Sequence, residues 1–153
     1  MSMSEKDFDA FVDSIQEKVF DEAQHAYGPK GFERWRNPKF CGKLADETCH
    51  GRMTGKCGDT IEMSLKIDNN QIVDGAYTTT GCASSSICSS FAVELALGRN
   101  VEEIFELDGE DVLAFIGKFP EDDSHCAFLA VNAIQDAVNN YLVERTKKEQ
   151  AAK

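Results

Sequence analysis

The stretch that decides the fold class is residues 60–80, TIEMSLKIDNNQIVDGAYTTT, in which apolar side chains recur with a period of two. From residue 61 to 67 apolar and polar types alternate, which is the pattern of a strand that buries one face. The Asp-Asn-Asn run at 68–70 favours a tight turn, and residues 71–80 are rich in strand-forming types. The segment therefore predicts an antiparallel hairpin, and residues 52–57 are the candidate for a third strand.

Helical periodicity precedes this hairpin. Residues 5–27 carry apolar side chains at three- and four-residue steps until a Gly-Pro pair ends the run. Residues 28–50 hold two of the chain's three prolines, so an irregular arm is expected there. The apolar stripe of the first helix is expected to pack in the core; it contains Phe8, Phe11 and Ile15.

Helical periodicity also follows the hairpin. One helix is predicted from residue 83 to Gly98, and the longest over 123–148, with two short helices between them, at 101–107 and 111–118. The predicted fold class is α+β, with a small antiparallel sheet of about three strands covered by helices on one face.

The net charge and the hydropathy of the chain argue against two classes of partner, nucleic acids and membranes. The 153 residues include 16 Lys and Arg against 27 Asp and Glu, a formal net charge of −11, so no nucleic-acid partner is expected. No apolar run approaches the roughly 18 residues that a membrane span needs. The N-terminus is polar and does not resemble a signal peptide, so we expect no membrane partner and a cytoplasmic location. Positive charge concentrates in residues 28–56, which is either a docking surface for an acidic partner or a solvated loop.

Three of the six cysteines lie at breaks between predicted elements. In a reducing compartment, several cysteines favour a metal site or catalysis over disulfides. Cys57 is flanked by Gly55 and Gly58, which let the backbone bend closely around a ligand. Cys82 and Cys126 each open a predicted helix, where the helix dipole lowers the pKa of a thiol. These two thiols are therefore expected to be activated by position.

Thiolates in a reducing cell bind soft metals, namely zinc, copper(I) or the iron of Fe–S clusters. Three cysteines leave one ligand to find, and Asp59 and His125 are the candidates beside them. A carboxylate bonds weakly to a soft centre, which suits a group bound in order to be released. At this point a metal or cluster site and a set of incidental thiols both stay open. Of the other cysteines, Cys88 is expected in the core, and Cys41 and Cys49 are expected to be incidental.

Four short motifs surround the three cysteines or precede the sheet. They are Gly55-Lys56-Cys57-Gly58-Asp59, Thr80-Gly81-Cys82-Ala83-Ser84-Ser85-Ser86, His125-Cys126 and the Asn-Pro element Trp35-Arg36-Asn37-Pro38-Lys39. Cys82 follows Cys57 by 25 residues, and Cys126 follows Cys82 by 44. These motifs and separations resemble those of the IscU/NifU-type iron–sulfur cluster scaffolds, and the resemblance covers residues 33–148.

The resemblance implies a scaffold or carrier rather than an enzyme. A labile [2Fe–2S] cluster would be bound by Cys57, Asp59, Cys82 and Cys126, with His125 as an alternative ligand. Its sulfur would come from a cysteine desulfurase, and the finished cluster would pass to apo iron–sulfur proteins. The alternative is zinc at the same site, as in the SufU-type sulfur acceptors.

Two departures from the family matter. Members served by a dedicated Hsp70 chaperone carry Leu-Pro-Pro-Val-Lys before the third cysteine, whereas this chain is acidic over residues 121–123, so that chaperone is not an expected partner. The 44-residue step also lacks the insertion of SufU-type relatives, which favours the cluster over zinc. The predicted organisation is an N-terminal helix over residues 1–28, a scaffold domain over 29–148 and a frayed tail over 149–153.

Overall fold

The computed structural model describes residues 4–152 and has the predicted α+β architecture. Two 3₁₀ turns, Glu103–Glu106 and Glu121–Asp123, precede its last two helices. Its three strands form one antiparallel sheet in the order of the sequence, so the predicted fold class is confirmed. The main elements are α1 (Glu5–Arg36), β1 (Cys49–Thr54), β2 (Thr60–Asp68), β3 (Gln71–Thr79), α2 (Ala83–Ala96), α3 (Gly109–Ile116) and α4 (His125–Ala151).

The core lies between one face of the sheet and the helices α2 and α4. Ile61, Met63 and Leu65 of β2 are fully buried on that face, as the alternating pattern predicts. Ser64 points to the other face but is buried as well, because the loop before β1 crosses it and the Leu44 N–H donates to the Ser64 hydroxyl at 3.2 Å. The sheet is therefore covered on both faces in its centre.

The β2–β3 turn has the predicted position. Asn69 and Asn70 both have positive φ, 52° and 67°, the left-handed conformation that a two-residue type I′ hairpin turn requires. Asn tolerates this conformation better than most side chains do. Asp68 and Gln71 form the last pair of the ladder, so the turn also sets the register of the hairpin.

Helix α4 lies directly against the edge strand β1. Gly51 makes this approach possible, because a Cβ there would overlap the Ala133 carbonyl oxygen and the Ala137 nitrogen of α4. Two side chains of α4 bond to the free edge of β1. Asp136 accepts the Arg52 N–H at 2.9 Å, and the Asn140 amide donates to the His50 carbonyl at 2.8 Å. These contacts close the edge strand and fix α4 along it.

The prediction of an irregular arm over residues 28–50 is wrong for residues 29–36, which are helical, whereas residues 37–48 contain no helix and no strand of the sheet. Helix α1 contains a sharp break at Gly28 (φ 71°, ψ −178°), after which residues 29–36 continue as helix. Pro29 starts this second segment, since proline at the first helical position loses no hydrogen bond. The two segments fold back on each other. The centroid of the Phe20 ring consequently lies 6.0 Å from that of Phe32 and 6.1 Å from that of Trp35.

The prediction that the apolar stripe of α1 packs in the core is wrong. The segment after the break is only eight residues, about 12 Å long at 1.5 Å per residue, so it can cover only the nearest turns of the first segment. Earlier turns extend past it into solvent. The exposed fractions in the stripe are 56% for Phe8, 53% for Phe11, 42% for Val12, 47% for Ile15 and 46% for Val19.

The remaining predictions on the helices hold with small shifts in their bounds. The first of the two short helices is the 3₁₀ turn Glu103–Glu106, and the second is α3. The division of the chain at residue 28 and the fraying after residue 148 stay predictions, although α4 itself runs to Ala151. Within residues 4–152, no helix has both the length and the apolar character needed to cross a membrane.

Candidate metal centre

The first cysteine of the site lies at the tip of the β1–β2 turn. The Gly55 N–H donates to the Asp59 carbonyl at 2.9 Å, and the Gly58 N–H donates to the Gly55 carbonyl at 3.0 Å. Gly58 has φ +90°, which glycine adopts without strain and which closes the turn within five residues. The Cys57 side chain is consequently exposed at the end of the hairpin.

Cys82 is the N-cap residue of α2. Its backbone is extended, and its side chain makes no capping hydrogen bond, so the thiol is exposed rather than used in the helix end. The turn before it is held by Thr79, whose hydroxyl accepts the Gly81 N–H at 3.0 Å and bonds to the Ser85 hydroxyl at 2.9 Å.

The Asp59 carboxylate lies against the turn that carries Cys82. A Cβ on Gly81 would come within 2.8 Å of Asp59 Oδ2, so only glycine leaves room for this carboxylate. The hairpin end with Cys57 and Asp59 and the start of α2 are thus in contact. The structure brings these residues, which sequence reasoning took from separate motifs, to one end of the sheet.

Cys126 lies in the first turn of α4 and is 2% exposed. Burial, together with the smaller effect of the negative charges of Cys82 and Asp123, raises the pKa of its thiol to about 12. The prediction that this thiol is activated by its helix N-terminus is therefore wrong for the free protein, because desolvation outweighs the dipole. A metal must displace the proton as it binds. The neighbouring His125 is exposed, and its Nε2 lies 3.8 Å from the Cys126 sulfur.

The three cysteines face the same end of the molecule but do not meet at one point. A cavity of about 380 Å³ separates the Cys57 turn from the start of α4 and is lined by Lys56, Cys57, His125 and Phe128. The charges of Cys57, Asp59 and Cys82 all raise the pKa of the Cys126 thiol, so these groups lie near enough to act on it electrostatically. Among residues 4–152, no three His, Cys, Asp or Glu side chains are grouped closely enough to hold a metal ion in this conformation.

Two of the other cysteines, Cys88 and Cys49, are buried. Cys88 is fully buried, as predicted, and burial raises the pKa of its thiol. Cys49 is also buried in β1, where desolvation raises its pKa to about 12. Its neighbour His50 points to the opposite face, between Glu47 and Glu62 at 3.3 Å each, so Cys49 and His50 do not form a metal pair.

Sequence reasoning missed residues that only the tertiary structure brings to the site. Exposed Cys41 lines a cavity of about 540 Å³ together with Cys82. The Ser84 hydroxyl donates to Asp123 Oδ2 at 2.8 Å and bonds to the Tyr27 hydroxyl at 2.8 Å. Their separations in sequence, 39 and 57 residues, leave no local signal that could have revealed them.

Three cysteine-bearing turns at one end of a three-stranded sheet, covered by helices, define a small α+β protein with an open thiol-rich site. Residues 26–149 match the family model "NifU-like N terminal domain". The chain belongs to this family, which confirms the resemblance drawn from the cysteine motifs.

Named relatives agree with this assignment. The chain is 32% identical over 122 residues to "Iron-sulfur cluster assembly scaffold protein IscU 1" of Archaeoglobus fulgidus, covering 79% of this chain and 80% of the relative. It is 34% identical over 121 residues to "Iron-sulfur cluster assembly enzyme IscU" of Drosophila melanogaster, covering 76% and 78%. The crystal structure of a NifU-like N-terminal protein from Brucella abortus superposes with a TM-score of 0.60 at 20% identity over 77% of this chain and 95% of that one, which shows the shared fold.

Proposed function

We propose that this chain is a scaffold on which a labile [2Fe–2S] cluster is assembled and from which it is transferred to apo iron–sulfur proteins. The observation that carries the proposal is the placement of Cys57, Cys82 and Cys126 on three different elements at one end of the sheet. Each supplies a thiolate, the ligand that iron–sulfur clusters take in proteins. The cluster is cargo rather than a resident cofactor, so the chain acts as a carrier and not as an enzyme.

Loading the cluster requires the thiol side chains to turn toward one another, while the turns that carry them stay in place. Cys57 and Cys82 are exposed, whereas Cys126 is buried in the first turn of α4. An exposed thiolate takes the outer sulfur of the desulfurase persulfide, and the desulfurase cysteine leaves as a thiolate. An external thiol or electron donor then reduces the bound sulfur by two electrons to sulfide, which frees the cysteine to turn toward Cys126 as iron binds. Because the free protein does not hold the three thiols close together, the ligands can turn apart again and release the cluster.

Asp59 is the proposed fourth ligand. Its carboxylate lies beside the turn that carries Cys82, at the end of the sheet where the three cysteines lie. A carboxylate is a hard ligand on a soft iron–sulfide centre, so an incoming thiol of an acceptor protein displaces it readily. His125 is exposed next to Cys126 and serves as the alternative ligand when Asp59 is displaced.

Partners follow from the surface around the site. The exposed part of the basic segment is the proposed docking surface for the desulfurase. Arg34 is not part of it, because this residue is buried and paired with Glu94 at 2.8 Å. The acidic 3₁₀ turn Glu121–Asp123 lies directly before α4, where relatives served by a dedicated Hsp70 carry a Leu-Pro-Pro-Val-Lys segment. We therefore propose no dedicated Hsp70 partner.

The test is anaerobic incubation of the apo-protein with iron, a cysteine desulfurase and cysteine, followed by visible absorption spectroscopy. We expect the charge-transfer bands of a [2Fe–2S] cluster and their transfer to an apo-ferredoxin. The alternative is a zinc-bound sulfur acceptor, which would bind one zinc tightly, stimulate the desulfurase and stay colourless. That second result would overturn the scaffold proposal.

A further inference from the structure

We propose that Tyr27, Ser84 and Asp123 form a positioning clamp that holds the Cys82 turn and the Cys126 turn at a fixed separation for the cluster. The inference rests on the proposed function, because it concerns how the same thiols are held. None of the three side chains is proposed as a ligand. Their role is to position the backbone on which two ligands stand.

The clamp joins three elements through two short hydrogen bonds. The Tyr27 hydroxyl lies 2.8 Å from Ser84 Oγ, and Ser84 Oγ lies 2.8 Å from Asp123 Oδ2. Ser84 is two residues after Cys82 in the first turn of α2, and Asp123 is three residues before Cys126. Each bond therefore acts within one helical turn of a proposed ligand.

The direction of the protons follows from the donors available. A carboxylate only accepts, so the single hydroxyl proton of Ser84 goes to Asp123. The Tyr27 hydroxyl must then donate to the Ser84 oxygen. Burial raises the pKa of Tyr27, which keeps this donor protonated at neutral pH. The two bonds thus run in one direction and strengthen each other.

Burial and packing make the clamp rigid. The Ser84 side chain is fully buried, so water does not compete for its hydroxyl. Tyr27 stands immediately before the break at Gly28, and its ring packs on Phe119 with centroids 5.6 Å apart. A Cβ on Gly31 would come within 2.8 Å of the Tyr27 Cβ, so the helix after the break packs directly against this tyrosine.

Neighbouring hydroxyl pairs of α2 contact a different element. Ser85 bonds to Thr79 at 2.9 Å and Ser86 bonds to Tyr77 at 2.7 Å, and both partners lie on β3. These pairs hold α2 to the sheet and do not reach the segment before Cys126. Ser84 instead connects α2 with that segment, which is why we assign the positioning role to it.

The test compares Asp123→Ala, Asp123→Asn and Tyr27→Phe with the parent, using Asp122→Ala as the matched control. Asn keeps an oxygen that accepts the Ser84 hydroxyl, and Asp122 is an exposed carboxylate of the same 3₁₀ turn. Two readouts are measured: the affinity of the apo-protein for Co²⁺, from its thiolate-to-cobalt absorption, and the lifetime of the reconstituted cluster. Circular dichroism and thermal melts establish that each variant is folded.

We expect Asp123→Ala to weaken Co²⁺ binding and shorten the cluster lifetime by about 10- to 100-fold, the usual effect of losing a group that orients metal ligands. Tyr27→Phe is expected to change both in the same direction but by less, because it keeps the bond from Ser84 to Asp123 and removes the donor that strengthens it. Asp123→Asn is expected to restore most of both, and Asp122→Ala to match the parent. The clamp is overturned if Asp123→Ala behaves like Asp122→Ala, if Asn fails as badly as Ala, or if only the melting temperature changes. A parent protein that binds neither Co²⁺ nor a cluster would instead overturn the proposed function.

Discussion

Gly51→Ala tests whether α4, and with it Cys126, is held against β1 as described. The added methyl group would overlap the Ala133 oxygen and the Ala137 nitrogen and lie 2.9 Å from the Ala137 Cα. All three are backbone atoms, so no side-chain rotation relieves the contact. The helix must lift from the strand as a unit.

The expected loss in the free energy of unfolding is about 3 kcal/mol. Overpacking costs about 1–3 kcal/mol, and the upper end applies when backbone must move. Lifting α4 also weakens its bonds to the Arg52 N–H and the His50 carbonyl, each worth about 0.5–1.5 kcal/mol. The lower entropy of the unfolded Ala chain returns about 0.4–1 kcal/mol.

Urea unfolding followed by circular dichroism measures this loss as a fall in the midpoint at constant slope. The control is Gly55→Ala, whose new methyl group would meet side-chain atoms alone, the flexible Leu129 at 3.2 Å and the exposed Cys57 sulfur at 3.6 Å. We expect the control to stay within about 0.5 kcal/mol of the parent. A Gly51→Ala variant as stable as the control would refute the packing of α4 on β1.

Three further predictions concern cargo release, the exposed helix and partner docking. Asp59→Ala is expected to keep its cluster in air longer than the parent and to transfer it to apo-ferredoxin more slowly, because the displaceable ligand is gone; transfer at the parent rate would reduce Asp59 to a turn residue. Phe8→Ser with Phe11→Ser is expected to change the free energy of unfolding by less than about 0.5 kcal/mol, because both side chains are more than half exposed; a larger loss in urea unfolding would place them in the core after all. Desulfurase affinity, measured by calorimetry, is expected to fall with salt and with Lys39→Glu, but not with the control Lys147→Glu in the last turns of α4; salt-independent binding would remove the basic segment from the account.

The sheet could be predicted because each of its signals lies within a short stretch of sequence. The alternation from Ile61 to Leu65 reports which face of one strand is buried, and the Asn69-Asn70 pair reports a turn that needs left-handed backbone. The burial of Ser64 was not predictable in this way, because it depends on a loop that begins about twenty residues earlier and crosses the sheet.

Helix α1 shows where a local signal misleads. A Gly-Pro pair normally ends a helix, yet here Gly28 supplies a break and Pro29 starts the next segment. The stripe from Phe8 to Val19 has core periodicity, but its burial depends on a partner surface that the short second segment does not provide. Periodicity reports that a face is apolar, and only the tertiary structure reports what covers it.

The candidate site was accessible from sequence to the extent that its motifs are local. Cys57 with its glycines and Cys82 before its helix could be recognised one by one. The raised pKa of Cys126 could not, because its main cause is burial under the rest of the fold. The Tyr27–Ser84–Asp123 chain was equally inaccessible, since each bond joins residues distant in sequence.

The central claim is that cysteines from three separate elements hold one cluster. It is tested most directly by the visible absorption spectrum after anaerobic reconstitution of Cys126→Ser beside Cys88→Ala. Both cysteines are buried in the core, but Cys126 lies in the first turn of α4 beside His125, while Cys88 lies further along α2, in its second turn. The account predicts that Cys88→Ala gains the colour of the parent and that Cys126→Ser stays colourless or loses its colour at once. A stable, fully coloured Cys126→Ser protein beside a colourless, folded Cys88→Ala protein would contradict it.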